Sequence, residues 1–77
     1  MKKKTSLVEA EKGREIEIIS INAGLRAAKR LSDLGLVPKT KIKIYKKAVL
    51  GPIEIGLRGS RLVLGRGLAN KIFVKSI

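Results

Sequence analysis

The sequence predicts a mainly β fold: a small, half-open barrel of about five short strands, with one α-helix after the first strand. Three observations lead there. Short runs of alternating apolar residues recur at 14–21, 40–47, 53–58 and 62–64, the period of a half-buried strand. One stretch, 22–36, changes to a helical period. The chain has only 77 residues, and ten isoleucines, ten leucines and five valines make up most of its 44% apolar content. So short a sheet hides an aliphatic face only by curling on itself.

Taken in order, Ser6-Leu7-Val8-Glu9 has the pattern of a capping box with Ser6 as N-cap. Gly13 follows so soon that one helical turn is expected. Between 14 and 21 the apolar residues fall at 16 and 18, then at 19 and 21. That slip of phase predicts a bulge or sharp bend between Ile18 and Ile19. From 22 to 36, Leu25, Ala28 and Leu31, with Ala27 and Leu34, form one stripe and predict a core-facing helix. Asn22 serves as its N-cap. Gly35 takes the left-handed position after it, and Leu36 folds back on Leu31 in a Schellman ending. Pro38 bars any continuation.

Residues 40–47 turn Ile42 and Ile44 inward and Lys41, Lys43 and Tyr45 outward. The apolar connection Ala48-Val49-Leu50-Gly51-Pro52 closes on a Gly-Pro turn signal. Ile53, Ile55 and Leu57 face inward on the next strand. Arg58-Gly59-Ser60-Arg61 predicts a two-residue hairpin, with Gly59 at the positive φ of a type II′ turn. Leu62 and Leu64 resume the inner face, Gly65-Arg66-Gly67 ends the strand, and 68–71 allow a short helical turn. Ile72, Phe73 and Val74 form the last strand. The glycines at 51, 56, 59, 65 and 67 read as bending points. This tally describes an SH3-like barrel, one domain over 1–77, without repeat or linker.

Composition excludes most chemistry. There is no cysteine and no histidine, so disulfide scaffolds, thiolate or imidazole metal sites and His-based catalysis are out. The chain is not expected to be an enzyme or to hold a cofactor. Eighteen Lys and Arg against six Asp and Glu give a net charge of +12. Such a field favours nucleic acid, anionic lipid headgroups or an acidic protein face. It is concentrated in residues 21–47, net +7, and in 48–77, net +4. Met-Lys-Lys-Lys at the start is basic, but charges return at Glu11 and Lys12, which is not a signal-peptide pattern. No apolar run approaches the ~18 residues of a membrane span. A soluble, cytoplasmic chain is expected.

Four features are candidate sites. Glu9, Glu11, Glu15 and Glu17 form an acidic group that could hold a hard cation; pairing with surface lysines is the simpler account. Gly65-Arg66-Gly67-Leu68-Ala69-Asn70-Lys71 suggests a phosphate loop. Its glycine spacing fits neither a P-loop nor a dinucleotide fingerprint, and a barrel corner is simpler. Lys39, Lys41, Lys43, Lys46 and Lys47, with Arg58, Arg61 and Arg66, form a basic surface able to track phosphates. Stacking on bases would rest on Tyr45 alone. Finally, Val49, Leu50 and Pro52, with Leu36 and Val37 at the helix exit, form an apolar docking patch if exposed.

With these residues in view, the chain resembles the ferrous iron transport protein A family, FeoA, from Leu7 to Val74. The resemblance rests on the order Leu31-x-x-Leu34-Gly35-Leu36-x-Pro38, then Gly51-Pro52-Ile53, then Leu62-x-Leu64 and Ala69-x-x-Ile72-x-Val74. Leu7, Gly13, Thr40, Ile42 and Gly59 add to it. Two positions depart: Lys39 stands where the family usually has glycine, and Leu68 where it commonly has an acid. The resemblance implies an SH3-like barrel and a cytoplasmic accessory that docks on the membrane ferrous-iron transporter FeoB, on its GTP-binding domain. It associates iron with the family, while no residue here forms a built-in iron site. The barrel also resembles the C-terminal domain of iron-dependent repressors, without their DNA-reading helix. The alternative is a small basic barrel that binds RNA or DNA. Open barrel edges leave room for a weak homo-oligomer.

Overall fold

A computed structural model describes residues 5–77. Its elements are β1 (Thr5–Ser6), β2 (Glu15–Ile21), α1 (Leu25–Asp33), β3 (Lys41–Lys47), β4 (Ile53–Leu57), β5 (Ser60–Leu64), α2 (Arg66–Ala69) and β6 (Ile72–Ser76). The strands form one sheet in the order β1-β6-β2-β3-β4-β5, antiparallel throughout. The expected five strands are present; the sixth, β1, is a two-residue pairing of Thr5 and Ser6 with Val74 and Phe73, too short to leave a periodic signal. The capping-box segment makes its one turn. Ala10 N–H reaches Ser6 C=O at 3.1 Å, and Glu9 Oε1 accepts from Ser6 N–H at 3.2 Å.

Two bulges curl the sheet. On β2 the register jumps from Ile18↔Val74 to Ser20↔Phe73, so Ile19 is the extra residue that the phase slip predicts. On β3 it jumps from Ile44↔Ile55 to Lys46↔Glu54, leaving Tyr45 over. An unpaired residue raises local twist and bends its strand, which wraps the inner face around Ile16, Ile18, Ile42, Ile44, Ile53, Ile55, Ile72 and Val74, all 2% exposed or less. Leu7, Leu31 and Leu36 close this core and are fully buried.

The helix departs from its expected form at the start. Its N-cap is Gly24, not Asn22, and Leu25 is 91% exposed. Two i+3 steps from Leu31 back to Leu25 rotate the side chain about 120° around the axis, too far for one buried stripe. Leu31 is the helix's buried residue and Leu34 is half-exposed. The exit follows the Schellman pattern: Leu36 N–H donates to Leu31 C=O at 2.8 Å and Gly35 N–H to Ser32 C=O at 2.9 Å, with Gly35 at φ 92°.

Beyond it, Val37-Pro38-Lys39-Thr40 is a turn closed by Thr40 N–H to Val37 C=O at 3.1 Å. Proline stands second and Lys39 third, at φ 77°, the type II position that favours glycine. Lys39→Gly is therefore expected to raise unfolding stability by about 1 kcal/mol, by relieving a left-handed side-chain residue; urea denaturation measures it.

The β4–β5 hairpin differs in turn type. Leu57 pairs with Ser60, so the central residues are Arg58 and Gly59, at φ 49° and 82°. Two positive φ values make a type I′ turn, not type II′. The last corner is α2, which begins at Arg66, two residues earlier than expected, with Gly65 as N-cap.

Candidate interaction surfaces

The acidic group does not assemble. Glu15 and Glu17 stand opposite Lys43 and Lys41, Glu9 caps Ser6, and Glu11 lies 3.8 Å from Arg14. Among the described residues no group of three or more potential metal ligands occurs. The glycine-rich segment is a barrel corner. Its Arg66 Nη1 donates to Ala48 C=O at 3.1 Å, bracing the neighbouring loop.

The basic surface splits into free and committed cations. Lys39, Lys41, Lys43, Lys46 and Arg58 are exposed. Lys47 is half-buried, and its Nζ donates to Ala10 C=O at 2.8 Å. Arg61 holds Glu54 Oε2 at 2.8 Å and lays its guanidinium 4.5 Å from the centroid of the Tyr45 ring. The ring itself lies against Gly56, where a Cβ would come within 2.1 Å of it. Gly56, expected to be a bending point, instead clears a bed for Tyr45. The one outward ring on this surface is thus already stacked by a cation, the contact a nucleic-acid base would need.

The expected docking patch is divided. Leu36 is fully buried, because the Schellman turn folds it under the helix, and it leaves the set. Val37 is 38% exposed, Val49 85% and Leu50 89%, and Pro52 is exposed. Val37 precedes β3 and Val49, Leu50 and Pro52 follow it, so the seven-residue strand separates them by about 20 Å. At the first end, Val37 and Pro38 share a shallow depression with Lys39, Lys41 and Arg58. At the second, Ala48 and Pro52 share a groove with Lys12, Lys46, Lys47, Glu54 and Val63. The helical stripe placed Leu25 inward, and the strand pattern did not single out Val63 as a surface apolar residue; Val63 is 64% exposed. Its place between Leu62 and Leu64 on an alternating strand was the signal for it.

The FeoA domain family model matches residues 5–76. A relative from Methanocaldococcus jannaschii, provisionally named Fe(2+) transport protein A, is 38% identical over 69 residues, covering 90% of this chain and 83% of its own. The chain belongs to the FeoA family. A crystal structure of a FeoA described as an iron uptake regulatory protein superposes with a TM-score of 0.88 at 29% identity, over 97% of this chain and all of that one. A manganese-dependent transcriptional repressor superposes with the same TM-score at 16% identity, over 100% of this chain and 44% of its own, and shows the barrel fold alone. Membership places the chain in Fe(2+) transport. Among the described residues no helix is long and apolar enough to cross a membrane.

Proposed function

We propose that this chain is a non-catalytic, cytoplasmic accessory of ferrous iron uptake that docks on the membrane transporter FeoB and modulates its GTP-binding domain. Iron is the transporter's cargo in this reading and is not bound by the chain. The observation that carries the docking surface is the helix exit: Val37 stands out beside exposed Lys39, Lys41 and Arg58. An apolar contact ringed by free cations suits an acidic partner face, with the charges speeding encounter and the apolar centre slowing release. Val49, Leu50 and Pro52, at the far end of β3, do not share so compact a contact. The nucleic-acid alternative loses support because Tyr45 is already stacked and Arg61 and Lys47 are held internally.

A pull-down against the soluble GTP-binding domain at ~0.15 M salt, where distant surface charges are screened, with total RNA as competitor, tests it. The domain is expected to be retained in the presence of RNA. Val37→Glu is expected to weaken retention roughly tenfold or more, by placing a buried charge at the centre of the contact, with the circular dichroism spectrum unchanged. Undiminished retention by this variant removes the helix exit from the surface. Retention of RNA in place of the domain reverses the choice of partner.

A further inference from the structure

The loop from Ala48 to Pro52 has an unusual make-up for a solvent-exposed tip. Val49 and Leu50 are adjacent, 85% and 89% exposed, and outside the core cluster. A loop normally presents polar groups to water; two consecutive aliphatic side chains give water nothing and the fold little. Around the root of the tip stand four cations. Lys46 and Lys12 are exposed. Lys47 is half-buried, and its Nζ donates to Ala10 C=O. Arg66 grips the Ala48 carbonyl at 3.1 Å, which fixes the root of the loop and sets a guanidinium beside it. Glu54, the acid of this groove, is paired with Arg61 at 2.8 Å, so the collar remains positive.

An apolar tip above a basic collar matches the two-part requirement for reversible attachment to an anionic bilayer: aliphatic groups that enter the interface and cations that lie at headgroup level. We propose that Val49 and Leu50 insert into the surface of an anionic lipid bilayer, with the exposed Lys12 and Lys46 against the headgroups and the held cations Lys47 and Arg66 adding to the positive field behind them. A protein face would have to offer both a pocket for two aliphatic side chains and acids around it. An anionic membrane supplies both through its composition, and the +12 charge of the chain draws it there. Attachment at this end leaves the helix exit, about 20 Å away along β3, uncovered.

Sedimentation of the full chain with vesicles of phosphatidylcholine containing about 30% phosphatidylserine, against phosphatidylcholine alone at ~0.15 M salt, tests this. Binding is expected to the anionic vesicles. Leu50→Glu is expected to reduce it about tenfold or more, since the change removes an inserting group and adds a charge repelled by the surface. Because Leu50 is so exposed, the variant keeps its fold, which its thermal midpoint checks. The chain contains no tryptophan, so Leu50→Trp makes a single reporter, expected to shift its emission to the blue on anionic vesicles. No sedimentation, sedimentation undiminished by Leu50→Glu, or an unshifted tryptophan each overturns the proposal. The vesicles carry no transporter and the pull-down contains no lipid, so this inference and the docking reading fail separately.

Discussion

Leu31→Ala is expected to lower unfolding stability by about 3 kcal/mol, within the range for a buried leucine whose cavity collapses only partly. Leu25→Ala, on the same helix, is expected to change it by less than about 0.5 kcal/mol, as exposed substitutions do. Leu31 is fully buried and Leu25 is 91% exposed. Helix α1 has nine residues, too few to hold together in water without packing, and Leu31 supplies its buried contact. Losing that side chain therefore loosens the whole helix as well as opening a void. In a domain this small, whose total stability is roughly 4–12 kcal/mol by size, the Leu31 variant is partly unfolded in mild denaturant. Parallel urea titrations separate the two cases. Equal losses would mean that Leu25 packs inward, as the sequence pattern alone suggests.

Where the pattern succeeds or fails along the chain has a physical cause. The bulge at Ile19 was legible because a period-2 signal that slips by one leaves both phases visible in the sequence. The bulge at Tyr45 was not: the two strand residues that follow it, Lys46 and Lys47, are both lysines, so no apolar residue beyond the bulge records the shift. The Schellman exit was legible because glycine, a following leucine and a nearby proline all specify the same backbone path. The helix start lacked such agreement. Asn22 is a good cap by type, but Gly24 has the extended backbone, φ −63° and ψ 165°, that begins the helix. The same limits apply to the surfaces. Charge counts name eight cations but not which are free; that Lys47 is spent on Ala10 is a contact across 37 residues of chain. Likewise, the exposure of Val37 and burial of Leu36 follow from one turn, whereas the separation of Val37 from Leu50 appears only when β3 is laid between them.

That turn depends on Gly35, and Gly35→Ala is expected to cost about 2 kcal/mol, against about 1 kcal/mol for Gly59→Ala. Both glycines have a left-handed backbone, at φ 92° and 82°, so both alanines carry the conformational penalty of a side chain there. They differ in space. A Cβ at Gly59 meets nothing within 4 Å, while at Gly35 it lies 3.2 Å from Leu57 Cδ2, and Leu57 is 6% exposed and packed in the core. Relief by moving Leu57 disturbs β4; relief by moving the backbone gives up the bonds of Leu36 and Gly35 to the last helical turn. The second route also releases Thr40 Oγ1, which donates to Gly35 C=O at 3.3 Å, and so frees the turn that presents Val37. Gly35→Ala should therefore weaken retention of the GTP-binding domain under conditions where the variant is still folded, and Gly59→Ala should not. Equal stability losses in the two variants would show that Leu57 yields freely, and an undiminished pull-down by Gly35→Ala would show that docking does not depend on the shape of the helix exit.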